Sequence, residues 1–129
     1  AEGRLVQVLL DQLRAAPEVD LMLPLPQDER LQALCRRLQE RPERQETLVH
    51  WSARLGVSEK TLSRLFQRET GLSFRAWRQR LRLLAALTPL ERGERVTDVA
   101  LACGYDSTSA FIAAFLQQFG CTPGEFFRA

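Results

Sequence analysis

The stretch EKTLSRLFQRET (59–70) gathers side chains able to grip an anion or the edge of a base. At helical spacing Leu62, Leu65 and Phe66 share one face, so Glu59, Lys60, Ser63, Arg64 and Gln67 point away from it. Arg64 offers a planar guanidinium fork that suits the O6/N7 edge of guanine. Lys60 could meet a base or a phosphate. Ser58, Gln67 and Arg68 carry donors for phosphate oxygens, contacts that position a protein without reading sequence. The same residues would also serve as the solvated face of an ordinary helix, with Glu69 nearby.

Other chemistries lack their residues. His50 is the only histidine and has no evident orienting partner. There is no Ser-His-Asp set, no metal-ligand cluster, no phosphate loop and no pair of carboxylates in a recognisable cleft, so neither catalysis nor a cofactor is expected. Three cysteines, Cys35, Cys103 and Cys121, show no CxxC and no zinc spacing. They are expected to be buried reduced thiols.

A second stretch, GYDSTSAFIAAFLQQFGCTP (104–123), has the outline of a DNA-reading helix without its charge: between Arg95 and Arg128 there is no Lys or Arg at all. It carries a Gly turn, hydroxyls at Ser107, Thr108 and Ser109, and a Gly stop. Phe111, Phe115 and Phe119 form its apolar face.

These stretches sit in a chain of 129 residues, one domain or one domain with a tail. Net charge is +2, but unevenly spread. Residues 47–95 hold ten Lys/Arg against four Asp/Glu, while the segments on either side are each net −2. That distribution points to one electropositive surface rather than a basic protein. No apolar run is long enough to span a bilayer and no signal-peptide pattern is visible. No membrane association is expected, and the location expected is cytoplasmic, at the nucleoid. The chain opens AEGRLVQVLL, without Met and already in a helical pattern, as the C-terminal part of a longer protein would.

Almost every segment has helical period. An apolar stripe runs through 4–16, and the proline-rich stretch that follows makes 1–27 a helix and linker. Asp28 can cap a helix carrying Leu31, Leu34, Cys35 and Leu38; Thr47 caps LVHWSARL, stopped by Gly56; Ser58 caps the helix that ends at Gly71. Ser73 caps a longer helix, FRAWRQRLRLLAAL, with Phe74, Trp77, Leu81 and Leu84 inward. Its arginines, Arg75, Arg78, Arg80 and Arg82, are spread around more than one face, one or two within reach of phosphate. Trp51 and Trp77 lie at core spacing. Thr97 caps DVALAC. Thr88-Pro89-Leu90-Glu91 has the residue types of a fresh N-terminus, so the long helix should kink or restart there. The class is all-α, about seven helices.

One unit occurs twice. LVHWSARLGVSEKTLSRLFQRETG (48–71) and VTDVALACGYDSTSAFIAAFLQQFG (96–120) each have a short helix, a Gly followed by an apolar residue, a Ser-rich cap and a second helix ending in Gly. That is the helix-turn-helix pattern, with Gly for the tight turn and the apolar residue plugging a small core. Together with RL at 82–83, Ala86, FxxxFxxxFG at 111–120 and TPGEFFR at 122–128, residues 47–128 resemble the C-terminal DNA-binding domain of the AraC/XylS family of bacterial transcription regulators. LPLPQDERLQALCRRL (23–38) resembles the linker and first helix of members with an N-terminal cupin-like sensing domain.

The resemblance implies a double helix-turn-helix domain over 28–129, with units at 47–71 and 96–120 joined by a linker helix at 73–88. Their second helices would enter successive major-groove segments of double-stranded DNA, about 10 bp apart. Base-reading positions of the family match Lys60, Ser63 and Arg64 in the first unit, and Thr108, Ser109, Ile112 and Ala113 in the second. Many relatives place Arg or Lys at or near 113 and at 116–118, where this chain has Ala113, Leu116, Gln117 and Gln118. The second helix would then rely on hydroxyls, a helix dipole toward phosphate and apolar contact of Ile112 or Ala113 with a thymine methyl. The alternative is that this helix binds protein, either RNA polymerase or another protomer. The resemblance further implies sequence-specific binding by a ligand-responsive regulator, more often an activator, with RNA polymerase as partner. Its small-molecule effector would bind only the N-terminal domain, and this fragment would be monomeric.

Overall fold

The structure is a computed structural model that describes residues 23–127; the expected helix at 4–16 lies outside the described residues. Seven helices and no strand occur among them: α1 Glu29–Glu40, α2 Leu48–Leu55, α3 Glu59–Thr70, α4 Phe74–Glu91, α5 Val96–Ala102, α6 Thr108–Phe119 and α7 Pro123–Phe126. Two compact units divide the chain after Leu81, so α4 contributes to both.

In the first unit the ends of the helices follow local chemistry. Asp28 accepts from the N–H groups of Arg30 and Leu31, Thr47 from that of His50, Ser58 from that of Thr61 and Ser73 from that of Ala76, each satisfying a donor that a helix start leaves open. Gly56 and Gly71 end α2 and α3 in the left-handed region, at φ 72° and 77°. Leu31, Leu34, Cys35, Leu38, Trp51, Leu62, Phe66, Phe74, Trp77 and Leu81 form one core. Phe66 stands edge-on to both Phe74 and Trp77. The Trp77 indole N–H donates to the Pro24 carbonyl at 2.7 Å, which ties the proline-rich entry segment onto the core.

The second unit is packed around α6. Phe111 and Phe115 are fully buried and Phe119 nearly so, against Phe126, Val99, Ala100, Leu83 and Leu87. Burial of each such ring stabilises the unit by about 1.5–3 kcal/mol. Thr122 and Glu125 form a capping box that starts α7, with Pro123 in its first turn.

Two local expectations need correction, and of the two outcomes left open at Pro89 the restart is excluded. The long helix does not restart at Thr88: α4 runs unbroken to Glu91 with Pro89 inside it. Proline loses one backbone hydrogen bond there, but Ala86, Leu87 and Leu90 are buried at helical spacing on either side and hold the turn. Thr97 is not a cap. α5 begins at Val96 after Arg95, with no side-chain cap, and its first turn is instead spanned by an Arg95–Asp98 ion pair at 3.5 Å. Cys35 and Cys103 are buried free thiols, whereas Cys121 is only half-buried.

Candidate nucleic-acid interface

The turn between α2 and α3 is closed by two bonds to one carbonyl: the N–H groups of Gly56 and Val57 both donate to Ser52 O, at 2.9 and 3.2 Å. Val57 then packs against the first core. In the second unit the Tyr105 N–H reaches five residues back to Ala100 O at 3.0 Å, as Val57 does to Ser52, and Tyr105 packs edge-on to Phe111. Gly104 supplies φ 94° at that turn. Burial pushes the Tyr105 phenol up to about 12, so it is a neutral plug at any ordinary pH. The same device therefore orients α3 and α6, although five residues separate α5 from α6 and only three separate α2 from α3.

On α3, Lys60, Ser63, Arg64, Gln67 and Arg68 are all exposed, while Leu62 and Phe66 are buried and Leu65 is half-buried. The side chains of Lys60, Arg64 and Arg68 make no hydrogen bond or ion pair among the described residues. They are spaced four apart and rise about 12 Å along the helix. Glu69, the carboxylate that could have neutralised them, is turned the other way. Its Oε1 accepts from the backbone N–H groups of Gln27 and Asp28, both at 2.8 Å. Exposed Glu59 at the helix start is in no ion pair with them, and Glu69 is used to anchor the start of α1.

Two of the candidate contact residues also hold α3 in shape. Ser58 Oγ accepts from the Thr61 N–H and donates to Thr61 Oγ1 at 2.8 Å. Gln67 Nε2 donates to Gly71 O at 2.9 Å, closing the far end. Ser58 can approach DNA with its backbone N–H, and Gln67 with the second hydrogen of its amide nitrogen and with Oε1.

The linker arginines divide. Arg78 is half-buried, donates to Glu46 O at 2.7 Å and lies over the Phe74 ring. Arg82 is buried and Arg80 half-buried, and each has a partner. Only Arg75 is exposed, without a hydrogen bond or ion pair among the described residues. Trp51 and Trp77 are core residues, and His50 is an exposed helix residue edge-on to Trp51.

On α6, Ser107 caps by accepting from the Ala110 N–H at 3.1 Å. Thr108 is half-buried, Ser109 and Ala113 are exposed, and Ile112 is partly packed against the second core. Leu116, where many relatives were expected to carry charge, is 47% exposed on this helix, beside Gln117. The outer face of α6 thus offers hydroxyls, methyls and an amide, with no charged group between Thr108 and Phe119. No cluster of His, Cys, Asp or Glu among the described residues could hold a metal ion. No helix among them is long and apolar enough to cross a membrane.

Residues 51–129 match the helix-turn-helix domain family. Over 123 residues the chain is 42% identical to the HTH-type transcriptional regulator NimR of Escherichia coli K12, an alignment covering 95% of this chain and 45% of NimR. The C-terminal domain of AraT, a response regulator from Geobacillus stearothermophilus, superposes with a TM-score of 0.72 at 25% identity, over 78% of this chain and 85% of that one. The DNA-binding domain of AdpA, a global transcriptional factor solved in complex with a target DNA, superposes at 0.68 and 28% identity, over 74% and 86% of the two chains. The chain therefore spans less than half the length of its E. coli relative. With its caps, turns and paired second helices arranged as above, it belongs to the AraC-type helix-turn-helix family and carries the DNA-binding domain of a transcription regulator.

Proposed function

We propose that the chain binds double-stranded DNA sequence-specifically, with α3 as its main reader. Arg64 takes the guanine edge, Lys60 and Ser63 read neighbouring bases or phosphates, and Ser58, Gln67 and Arg68 fix the register on the backbone. Ser107, Thr108, Ser109, Ile112 and Ala113 of α6 add alignment and thymine-methyl contacts in a second half-site about 10 bp away. The observation that carries this reading is the exposed row Lys60, Arg64, Arg68, none of it in an ion pair among the described residues, on a helix whose opposite side is core. At the level of the whole regulator the reading extends to promoter binding in the bacterial cytoplasm, recruitment of RNA polymerase, and control by a small-molecule effector acting outside this domain, which binds DNA as a monomer.

The test is selection of binders from random duplex DNA at moderate salt, repeated with Arg64→Ala. The substitution should weaken binding by about 1–3 kcal/mol, roughly 5- to 150-fold, and relax one position of the site. Arg68→Ala should instead weaken all sequences alike and flatten the salt dependence. No enriched sequence, or a site unchanged by Arg64→Ala, would overturn α3 as the reader.

A further inference from the structure

A cavity of about 270 Å3 opens between α1 and α2, and no residue of α3 lines it. Its cations are Arg36 and Arg37 of α1 and Arg54 of α2, facing one carboxylate, Glu40. None of the three guanidinium groups makes a hydrogen bond or ion pair among the described residues, and Glu40 pairs with none of them. That sets them apart from Arg30, Arg44 and Arg95, each of which holds an acid of its own. Trp51 also lines the cavity, and the Arg54 guanidinium lies over its ring, 5.4 Å from the centroid.

Two buried donors here are left unmatched, Arg37 Nε and Trp51 Nε1. Trp51 is only 3% exposed, and an indole N–H so deeply placed normally has an acceptor. The other tryptophan shows the contrast, since Trp77 donates to Pro24 O. Leu55 and Ala33 complete an apolar wall.

We infer that this cavity is a docking site for an acidic peptide segment of a protein partner, one that offers a carboxylate beside an apolar side chain. Guanidinium forks match carboxylate geometry in pairs, and Arg clusters are a recurrent way to capture acidic motifs. The indole and Leu55 supply what a phosphodiester strand has no use for, an apolar surface beside the cations. The cavity also lacks the backbone N–H cradle typical of phosphate sites. Because its residues are separate from α3, occupancy is compatible with DNA reading, and a failure here leaves that reading intact.

The test is titration of the 15N-labelled 129-residue chain, watched by NMR. The chain has two tryptophans and so two indole N–H signals, assigned by the loss of one in Trp51→Phe. The probe is a capped hexapeptide alternating glutamate and leucine, compared with its glutamine counterpart, inorganic phosphate and a short duplex of unselected sequence. The acidic peptide should move the Trp51 indole signal saturably and leave that of Trp77 in place. Arg54→Gln and Arg36→Gln should each weaken the response at least tenfold while retaining helical circular dichroism and the DNA site preference. An equal response to the glutamine peptide, a response only to phosphate or duplex, or no saturable shift would each overturn the proposal. Arg36 is exposed, so its variant decides the matter even if loss of the Arg54–Trp51 contact disturbs α2.

Discussion

Ser58 has two tasks that different substitutions separate. In the free protein its Oγ accepts from the Thr61 N–H at 3.1 Å and donates to Thr61 Oγ1 at 2.8 Å, which closes the start of α3. Ser58→Ala removes that cap and should cost about 0.5–2 kcal/mol. For a unit of this size each kcal/mol lowers the melting temperature by about 4–8 °C. Ser58→Asp keeps an acceptor in the same place and ranks with Ser as a cap. It also adds a negative charge at the positive end of the helix dipole, which contributes about 0.3–1 kcal/mol. Its melting temperature should match or exceed that of the parent. On DNA the order reverses. A carboxylate about 4 Å from a phosphate adds roughly 1 kcal/mol of repulsion even at the dielectric of water, so Ser58→Asp should bind about fivefold more weakly and the defect should shrink as salt rises. Thermal denaturation by circular dichroism, with anisotropy on a selected duplex at two salt concentrations, separates the two effects. An Asp variant that binds as tightly as the parent would refute the placement of Ser58 against phosphate. An Ala variant with an unchanged melting temperature would refute the cap.

Gly120→Ala isolates backbone strain: the position has φ 77° and an added Cβ would meet nothing within 4 Å, so the cost in denaturant unfolding should be about 1–2 kcal/mol, and smaller for Gly120→Asn. Asp28 titrates below its ordinary 3.8 because the Arg30 side chain bonds to it, with the N–H groups of Arg30 and Leu31 adding to the effect against a push upward from desolvation. A folded value below the unfolded one means that its contribution is complete above about pH 5 and is lost as pH falls through the folded value. Stability should therefore begin to fall below about pH 4, and less steeply in Asp28→Asn, which still caps. Burial pushes the Cys35 thiol up to about 12. Near neutral pH a maleimide should label half-buried Cys121 first and spare Cys35 and Cys103, as mass spectrometry would show; first labelling at Cys35 would contradict its place in the core.

Where structure follows from neighbouring residues, the sequence was enough. Asp28, Thr47, Ser58 and Ser107 cap and Gly56, Gly71 and Gly120 stop because the chemistry of a helix end is complete within four residues. Thr97 aside, which local chemistry marked as a cap and which is none, the failures share the opposite character. Glu69 reads as a neighbour of Arg68, but its oxygen bonds Gln27 and Asp28, more than forty positions away. The linker arginines look alike along the chain, and only the packing separates exposed Arg75 from buried Arg82. Thr88 and Pro89 spell a helix start, and burial of Leu87 and Leu90 overrides that local preference. Arg36, Arg37 and Arg54 left no signal, because a cavity between two helices has no period in the sequence.

The contrast between α3 and α6 has a physical basis in how little the fold asks of their outer faces. α6 is fixed by Phe111, Phe115 and Phe119 beneath it, by Ser107 at its start and by Gly120 at its end. Of these only Ser107 is also a proposed DNA contact, and none stands at 113 or 116–118, so an uncharged outer face there leaves the helix as firmly placed as α3. Charge is then a matter of affinity alone. Each phosphate neutralised by Lys or Arg adds to the salt dependence of binding, whereas methyl and hydroxyl contacts to bases add selectivity with little of it. Gln117→Arg, an exposed change that touches no core residue, should therefore tighten binding to all duplexes and steepen the salt slope by about one unit without altering the preferred site. If it sharpened preference at one position instead, α6 would lie with Gln117 over a base edge, and the second unit would be a reader held back only by the residue it carries.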